Sequence, residues 1–187
     1  MDVVKLLAPY FERYVTLERV HPTKTYNYKA RGFFDWPVIE ITMHRPKCST
    51  SSWLYIAAPF GADLAKLEPT EKLYVGSQTA DRMFRGDGMD GLNFHHAQMR
   101  SGNGDDTPVN YLNAGGRVDL YRMAEPSMKR ALAEVSSFAQ IAAPLAAMTT
   151  KHLGYWLEHV ILAKDTKQWR WNTAAANRAV IRLVTAG

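Results

Sequence analysis

Cysteine is nearly absent from this chain. Cys48 is the only one in 187 residues, which excludes an intramolecular disulfide and any cysteine-rich zinc site. A lone thiol suits a reducing compartment, so a cytoplasmic protein is expected. Long apolar runs are missing too, and none approaches the roughly 20 residues that span a bilayer. The start, Met1-Asp2-Val3-Val4-Lys5, lacks the charged segment, apolar core and small-residue cleavage site of a signal peptide. An intact soluble intracellular protein follows as the expectation. Repeats, heptad arrays and low-complexity tracts are also absent.

What remains is an ordinary globular composition, 47% hydrophobic and 22% charged. The length predicts one domain, 1–187, large enough to bury a real core. The formal net charge is +5 and the pI about 9.3. That balance leans towards a polyanionic partner.

Residues 3–19 have helical spacing, with Val3, Leu6, Leu7, Tyr10, Phe11, Tyr14 and Leu17 recurring at three and four. Pro9 is placed to start or bend that helix. After the break at His21-Pro22-Thr23, Val38 to Met43 alternates as a strand. Lys24, Lys29, Arg31, Arg45 and Lys47 surround Tyr26, Tyr28, Phe33, Phe34 and Trp36. Such interleaving suits nucleic acid, the rings stacking on bases and the cations meeting phosphate. It equally describes a solvated loop over a core.

Residues 53–58 read as an apolar strand that pairs with Leu73-Tyr74-Val75 across a long loop. Gly76 then reads as a turn, with a helix starting at Ser77 or Thr79. A helix start there would offer unpaired N–H groups to a phosphate. A second helical piece is expected over 92–100, a polar glycine-rich loop over 101–106, and a third strand over 116–123. From Pro126 the pattern is helical: Ser127 to Ile141, Thr150 to Lys164, and a last helix capped by Asn172 or Thr173. This order predicts an α+β fold, a small sheet covered by helices.

Four places carry candidate chemistry. Tyr74, Arg82 and Arg85 cluster around the Gly76 turn. His95 and His96 are adjacent, so on a helix they point apart and make a poor joint metal site; either one suits an acid, base or phosphate donor. Glu158 lies on the flank of an apolar helical face, where a carboxylate can hold a hard cation or simply face water. Asn172 follows Trp169-Arg170-Trp171, as a site residue or as a helix cap.

Taken together, these residues resemble the GIY-YIG nuclease family. Trp53-Leu54-Tyr55 stands for its Gly-Ile-Tyr strand and Tyr74-Val75-Gly76 for its Tyr-Ile-Gly strand. Glu158 stands for the family's glutamate and Asn172 for its asparagine. The separation of the two tyrosines implies an inserted connection. Insertions and an N-terminal extension look most like the type II restriction endonucleases of the family.

The resemblance implies a three-stranded antiparallel sheet flanked by helices, with a helical and strand extension before it. Residues 1–50 would be a DNA-contacting or dimerisation arm, 51–175 the nuclease core and 173–187 a C-terminal helix. It implies catalytic roles for Tyr55, Tyr74, Arg85, His96, Glu158 and Asn172, with Arg82 competing with Arg85 and His95 with His96. Glu158 would bind Mg²⁺, with Mn²⁺ as a substitute. Lys29, Arg31, Arg45, Lys47, Arg82, Arg100 and Arg170 would contact double-stranded DNA, and a homodimer would suit a symmetric site. The implied reaction is phosphodiester hydrolysis to 5′-phosphate and 3′-hydroxyl ends. Alternatives are a less specific repair, homing or phage nuclease of the same fold, or a non-catalytic nucleic-acid-binding domain.

Overall fold

Pro9 decides how the chain begins. Val3, Val4 and Leu7 are buried on one side of a short helix, α1 (Val3–Leu7), and the Asp2 carboxylate caps it by accepting from the Lys5 N–H at 3.1 Å. The backbone then tightens into a 3-10 turn over Ala8–Tyr10, with the proline in its first positions, and is extended at Phe11. Strand β1 (Glu12–Arg19) follows. The helix expected over 3–19 therefore ends at Leu7. Its apparent period joined one helical turn to a strand rich in buried residues. Val15 and Leu17 lie in one core cluster, while the side chain of Thr16 meets Asp119. Pairing with a neighbouring strand, bulged between Arg13 and Val15, outweighs the helical spacing.

The computed structural model describes residues 2–19, 39–44, 52–68, 72–79, 102, 106–141, 150–164 and 169–172. The other strands are β2 (Ile39–Met43), β3 (Ser52–Pro59), β4 (Tyr74–Thr79) and β5 (Val118–Ala124). They form one five-stranded sheet in the order β2-β1-β5-β3-β4. Every pairing is antiparallel. The α+β class is as expected, and the strands at 38–43, 53–58, 73–75 and 116–123 are present within a residue or two at most ends. The sheet is larger than the three strands expected. Residues before position 50 supply β1 and β2, and β1 pairs directly with β5.

The helices after β4 are α2 (Pro108–Asn113), α3 (Glu125–Glu134) and α4 (Thr150–Lys164). α4 has the expected limits. The helix expected from Ser127 to Ile141 instead spans Glu125 to Glu134, breaks at the extended Val135, and resumes as a 3-10 turn over Ser136–Ile141. α2 sits where a polar loop was expected to end. Its start is legible in Thr107-Pro108: the threonine hydroxyl accepts from the Asn110 N–H at 3.2 Å, and proline fits the first helical turn.

Alternation along the strands gives the sheet two buried faces. Leu54, Ile56 and Val75 pack with residues of α1, α3 and α4. Tyr55, Ala57 and Leu120 pack on the other face with Tyr14, α2 and Trp171. Among the described residues no helix is long and apolar enough to cross a membrane.

Candidate active site

β3 and β4 pair with Tyr55 opposite Gly76 and Ala57 opposite Tyr74. Residues two apart on a strand share a face, so Tyr55, Tyr74 and Gly76 lie together. The two rings are stacked, 5.9 Å between centroids and 17° between planes. Tyr55 is only 2% exposed, while Tyr74 is half-buried. Gly76 makes this possible. A Cβ there would stand 2.3 Å from Tyr55 Oη, 2.5 Å from its Cζ and 2.9 Å from Tyr74 Cε1.

The glycine is therefore a clearance under two rings and not a turn. β4 runs on through Ser77 and Gln78 to Thr79, paired with Leu54, Trp53 and Ser52. This corrects the expected helix start at Ser77 or Thr79 and removes the phosphate site built on it. Ladder hydrogen bonds inside the sheet and side-chain partners outside it hold the segment extended.

Those outside partners define the rest of the site. Among the described residues β4 is an edge strand, and an edge leaves a row of backbone N–H and C=O groups to satisfy. Here the row is filled from far along the chain. The Trp171 N–H donates to the Leu73 carbonyl at 3.0 Å. Asn172 grips Val75 twice, its Oδ1 accepting from the N–H and its Nδ2 donating to the C=O, each at 3.0 Å. The Asn172 side chain thus pairs with β4 as another strand would, and Asn172 is 3% exposed. Two residues on, Ser77 Oγ donates to Glu158 Oε2 at 2.6 Å.

Glu158 comes from α4, whose Leu153, Leu157 and Ile161 pack against Leu54, Ile56 and Val75. The helix thus approaches the face opposite the tyrosines, and the carboxylate reaches the edge beside Ser77. Partial burial raises its pKa above the ordinary glutamate range, against the hydrogen bonds from Ser77 and the nearby His159 charge, which lower it. Four consecutive residues of β4 thereby gather four candidate residues. Tyr74 is itself one, Val75 holds Asn172, Gly76 seats Tyr55 and Ser77 holds Glu158.

The sequence resemblance implies a divalent cation at this corner. Among the described residues no group of three or more His, Cys, Asp or Glu could enclose a metal. A hard ion such as Mg²⁺ needs no such cage; one or two carboxylates with water and phosphate oxygens suffice. Glu158 is the carboxylate at this corner among the described residues, and a cation beside it would offset the burial that raises its pKa.

Arg170, expected to meet DNA, forms an ion pair with Asp106 (Nε to Oδ2, 2.6 Å), and Lys72 pairs with the same carboxylate at 3.1 Å. Lys29, Arg31, Arg45, Lys47, Arg82, Arg85, His95, His96, Arg100 and the helix expected over 173–187 lie outside the described residues.

Three polar features escaped the sequence reading. Ser77 was read as a helix start, though its place two residues after Val75 puts it on the same side of β4. Arg122 lies opposite Tyr55 on β5. It leans the other way, paired with Glu12 and with its guanidinium carbon 4.1 Å from the centre of the Tyr14 ring. Asp119 is fully buried, accepting from the Thr16 hydroxyl and, at 2.9 Å, from the Gly61 N–H. Thr16 Oγ1 is in turn 2.7 Å from His44 Nε2. The signal for both was a charge inside the alternating run Val118-Asp119-Leu120-Tyr121-Arg122-Met123. No protein-family model, curated protein or solved structure matches the chain.

Proposed function

We propose that this chain is a metal-dependent DNA endonuclease of the GIY-YIG type, a site-specific restriction enzyme acting on double-stranded DNA as a homodimer. The observation that carries the reading is that all four candidate residues belong to or contact residues 74–77, the tyrosines on one face of the sheet and Glu158 reaching the strand edge from the other. Tyr55, Tyr74, Glu158 and Asn172, chosen from four separate stretches of sequence, meet one short strand. Coincidence of sequence motifs would not require them to share it.

The chemistry follows from these groups. Hydrolysis needs a water directed at phosphorus, a charge on the phosphate and relief for the leaving 3′ oxygen. Glu158 would hold a Mg²⁺ ion, which would supply positive charge to the scissile phosphate and the leaving oxygen. Tyr74, half-buried, would orient the attacking water and take its proton, and Tyr55, 2% exposed, would support it through the ring stack. A phenol with an ordinary pKa of about 10 needs a cation beside it for that task. Arg85 holds the phosphate through its guanidinium, and His96 binds phosphate or accepts the proton from the tyrosine. Water adds to phosphorus, the bond to the 3′ oxygen breaks, and 5′-phosphate and 3′-hydroxyl ends result. Asn172 fixes β4 beneath the site.

Plasmid DNA incubated with and without Mg²⁺, followed by end sequencing, tests the proposal. A defined, Mg²⁺-dependent ladder with 5′-phosphate ends is expected. Glu158→Ala should abolish cleavage and leave DNA binding intact; cleavage retained in that variant would overturn the assignment. Smearing or structure-dependent nicking points to a repair, homing or phage nuclease. Metal-independent binding without cleavage points to a non-catalytic module.

A further inference from the structure

Glu158 is delivered by a helix that packs firmly, yet its side chain has three rotatable bonds. Leu157, its neighbour, and Ile161 are fully buried in the core beneath β3 and β4. The helix backbone is therefore fixed, while the carboxylate would be free to swing along the strand edge. Freezing a glutamate side chain costs roughly 1.5–2 kcal/mol in rotamer entropy. Something must hold it if a cation is to find the oxygens already in place.

Ser77 is that hold. Its hydroxyl donates to Glu158 Oε2 at 2.6 Å, joining residues 81 apart in sequence, and its backbone N–H, which any substitution keeps, bonds the same carboxylate. The strand that carries it is held on both sides. β3 pairs with it at Leu54 on the inside, and on the outside Asn172 clamps Val75, two residues earlier. The hydroxyl is thus presented from a strand segment that cannot slide. A carboxylate ligand is normally oriented by such an outer hydrogen bond, and losing the partner typically weakens metal binding about 10–100-fold.

We propose that Ser77 is a positioning residue that sets the Glu158 carboxylate for a divalent cation. The inference rests on the nuclease reading of Glu158. It assigns Ser77 a role that edge satisfaction alone would not need, because a strand edge is equally satisfied by water.

The test uses the full chain and Mn²⁺, followed by paramagnetic broadening of the backbone amides of Val75, Gly76 and Ser77. Ser77→Val and Ser77→Thr have the same shape and both suit a strand, so they differ only in the hydroxyl. Ser77→Thr should broaden at the wild-type Mn²⁺ concentration. Ser77→Val should require at least about ten times more. Glu158→Gln should show no broadening at these amides. If Ser77→Val matches Ser77→Thr while Glu158→Gln loses the effect, the role of Ser77 is overturned and the metal assignment stands. If Glu158→Gln broadens as wild type does, the metal is not held there and the nuclease reading of Glu158 fails with it.

Discussion

A methyl group on Gly76 probes the tyrosine pair directly. The added carbon would lie 2.3 Å from Tyr55 Oη and 2.5 Å from Cζ, whereas non-bonded carbon atoms rest at about 3.5–4.0 Å. The Tyr55 ring must therefore retreat by roughly 1 Å. It has little room, being 2% exposed and stacked on Tyr74. Over-packing of this kind costs about 1–3 kcal/mol. Replacing glycine in a strand returns about 0.5–1 kcal/mol through the lost freedom of the unfolded chain. The net expectation for Gly76→Ala is a loss of about 1–2 kcal/mol, or about 2–8 °C in Tm for a chain of this size. The decisive measurement is a double-mutant cycle with Tyr55→Leu, each protein unfolded in urea. Leucine lacks the two atoms that the methyl meets first. In that background only the 2.9 Å contact with Tyr74 Cε1 remains, so Gly76→Ala should cost clearly less, giving a coupling of about 1–3 kcal/mol. Equal costs in both backgrounds, within about 0.5 kcal/mol, would refute the steric account of Gly76.

Asn172→Ala removes both hydrogen bonds to Val75 and strands a buried N–H and C=O, each worth about 1–3 kcal/mol when unsatisfied. A loss of about 2–5 kcal/mol in urea unfolding is expected, with faster hydrogen exchange at the Val75 amide; wild-type exchange there would contradict it. Glu158 gives a pH signature in the metal-free protein. Its folded pKa is raised, chiefly by burial, so the folded state binds the proton more tightly than the unfolded chain. The resulting stability is fully present below the ordinary glutamate pKa and is lost as pH rises through the folded value. Glu158→Gln should therefore gain in Tm relative to wild type as pH rises from the ordinary glutamate pKa through the raised folded value, even as it loses activity. A Tm difference that does not change with pH would show that burial does not tax this carboxylate.

Short-range signals carried the strands. The apolar runs at β3 and β4 and the alternation in β5 announced themselves because each segment matches its own pleated, half-buried surface. α4 was legible for the same kind of reason, its Leu153, Leu157 and Ile161 recurring at four. β1 was not, because Tyr14 and Leu17 sit at a helical interval from Leu7 and Tyr10, and only pairing with β2 and β5 decides the matter. Gly76 was misread because a glycine before Ser77 looks like punctuation. Its reason is a ring on the opposite strand, a contact that local chemistry does not encode. Tyr55, Tyr74, Glu158 and Asn172 were legible as residue types at spacings. That Asn172 would bond Val75, and Ser77 Glu158, depends on where the edge of the sheet falls.

Among the described polar groups at and near that edge, Glu158 carries a burial cost that the others do not show. Asn172 and Asp119 are buried polar groups, and each is met from within the chain, by Val75 in one case and by Thr16 and Gly61 in the other. Arg122 has Glu12 and the face of Tyr14. Glu158 stands differently. Ser77 and His159 lower its pKa, yet burial still prevails and the carboxylate remains harder to ionise than in water. A glutamate kept only to close the strand edge would be better replaced by glutamine, which can accept from Ser77 without carrying a desolvated charge. The cost makes sense if a cation balances it during function. The asymmetry between Asn172 and Glu158, neighbours on one strand edge, supports the proposal that Glu158 holds a cation while Asn172 holds the strand.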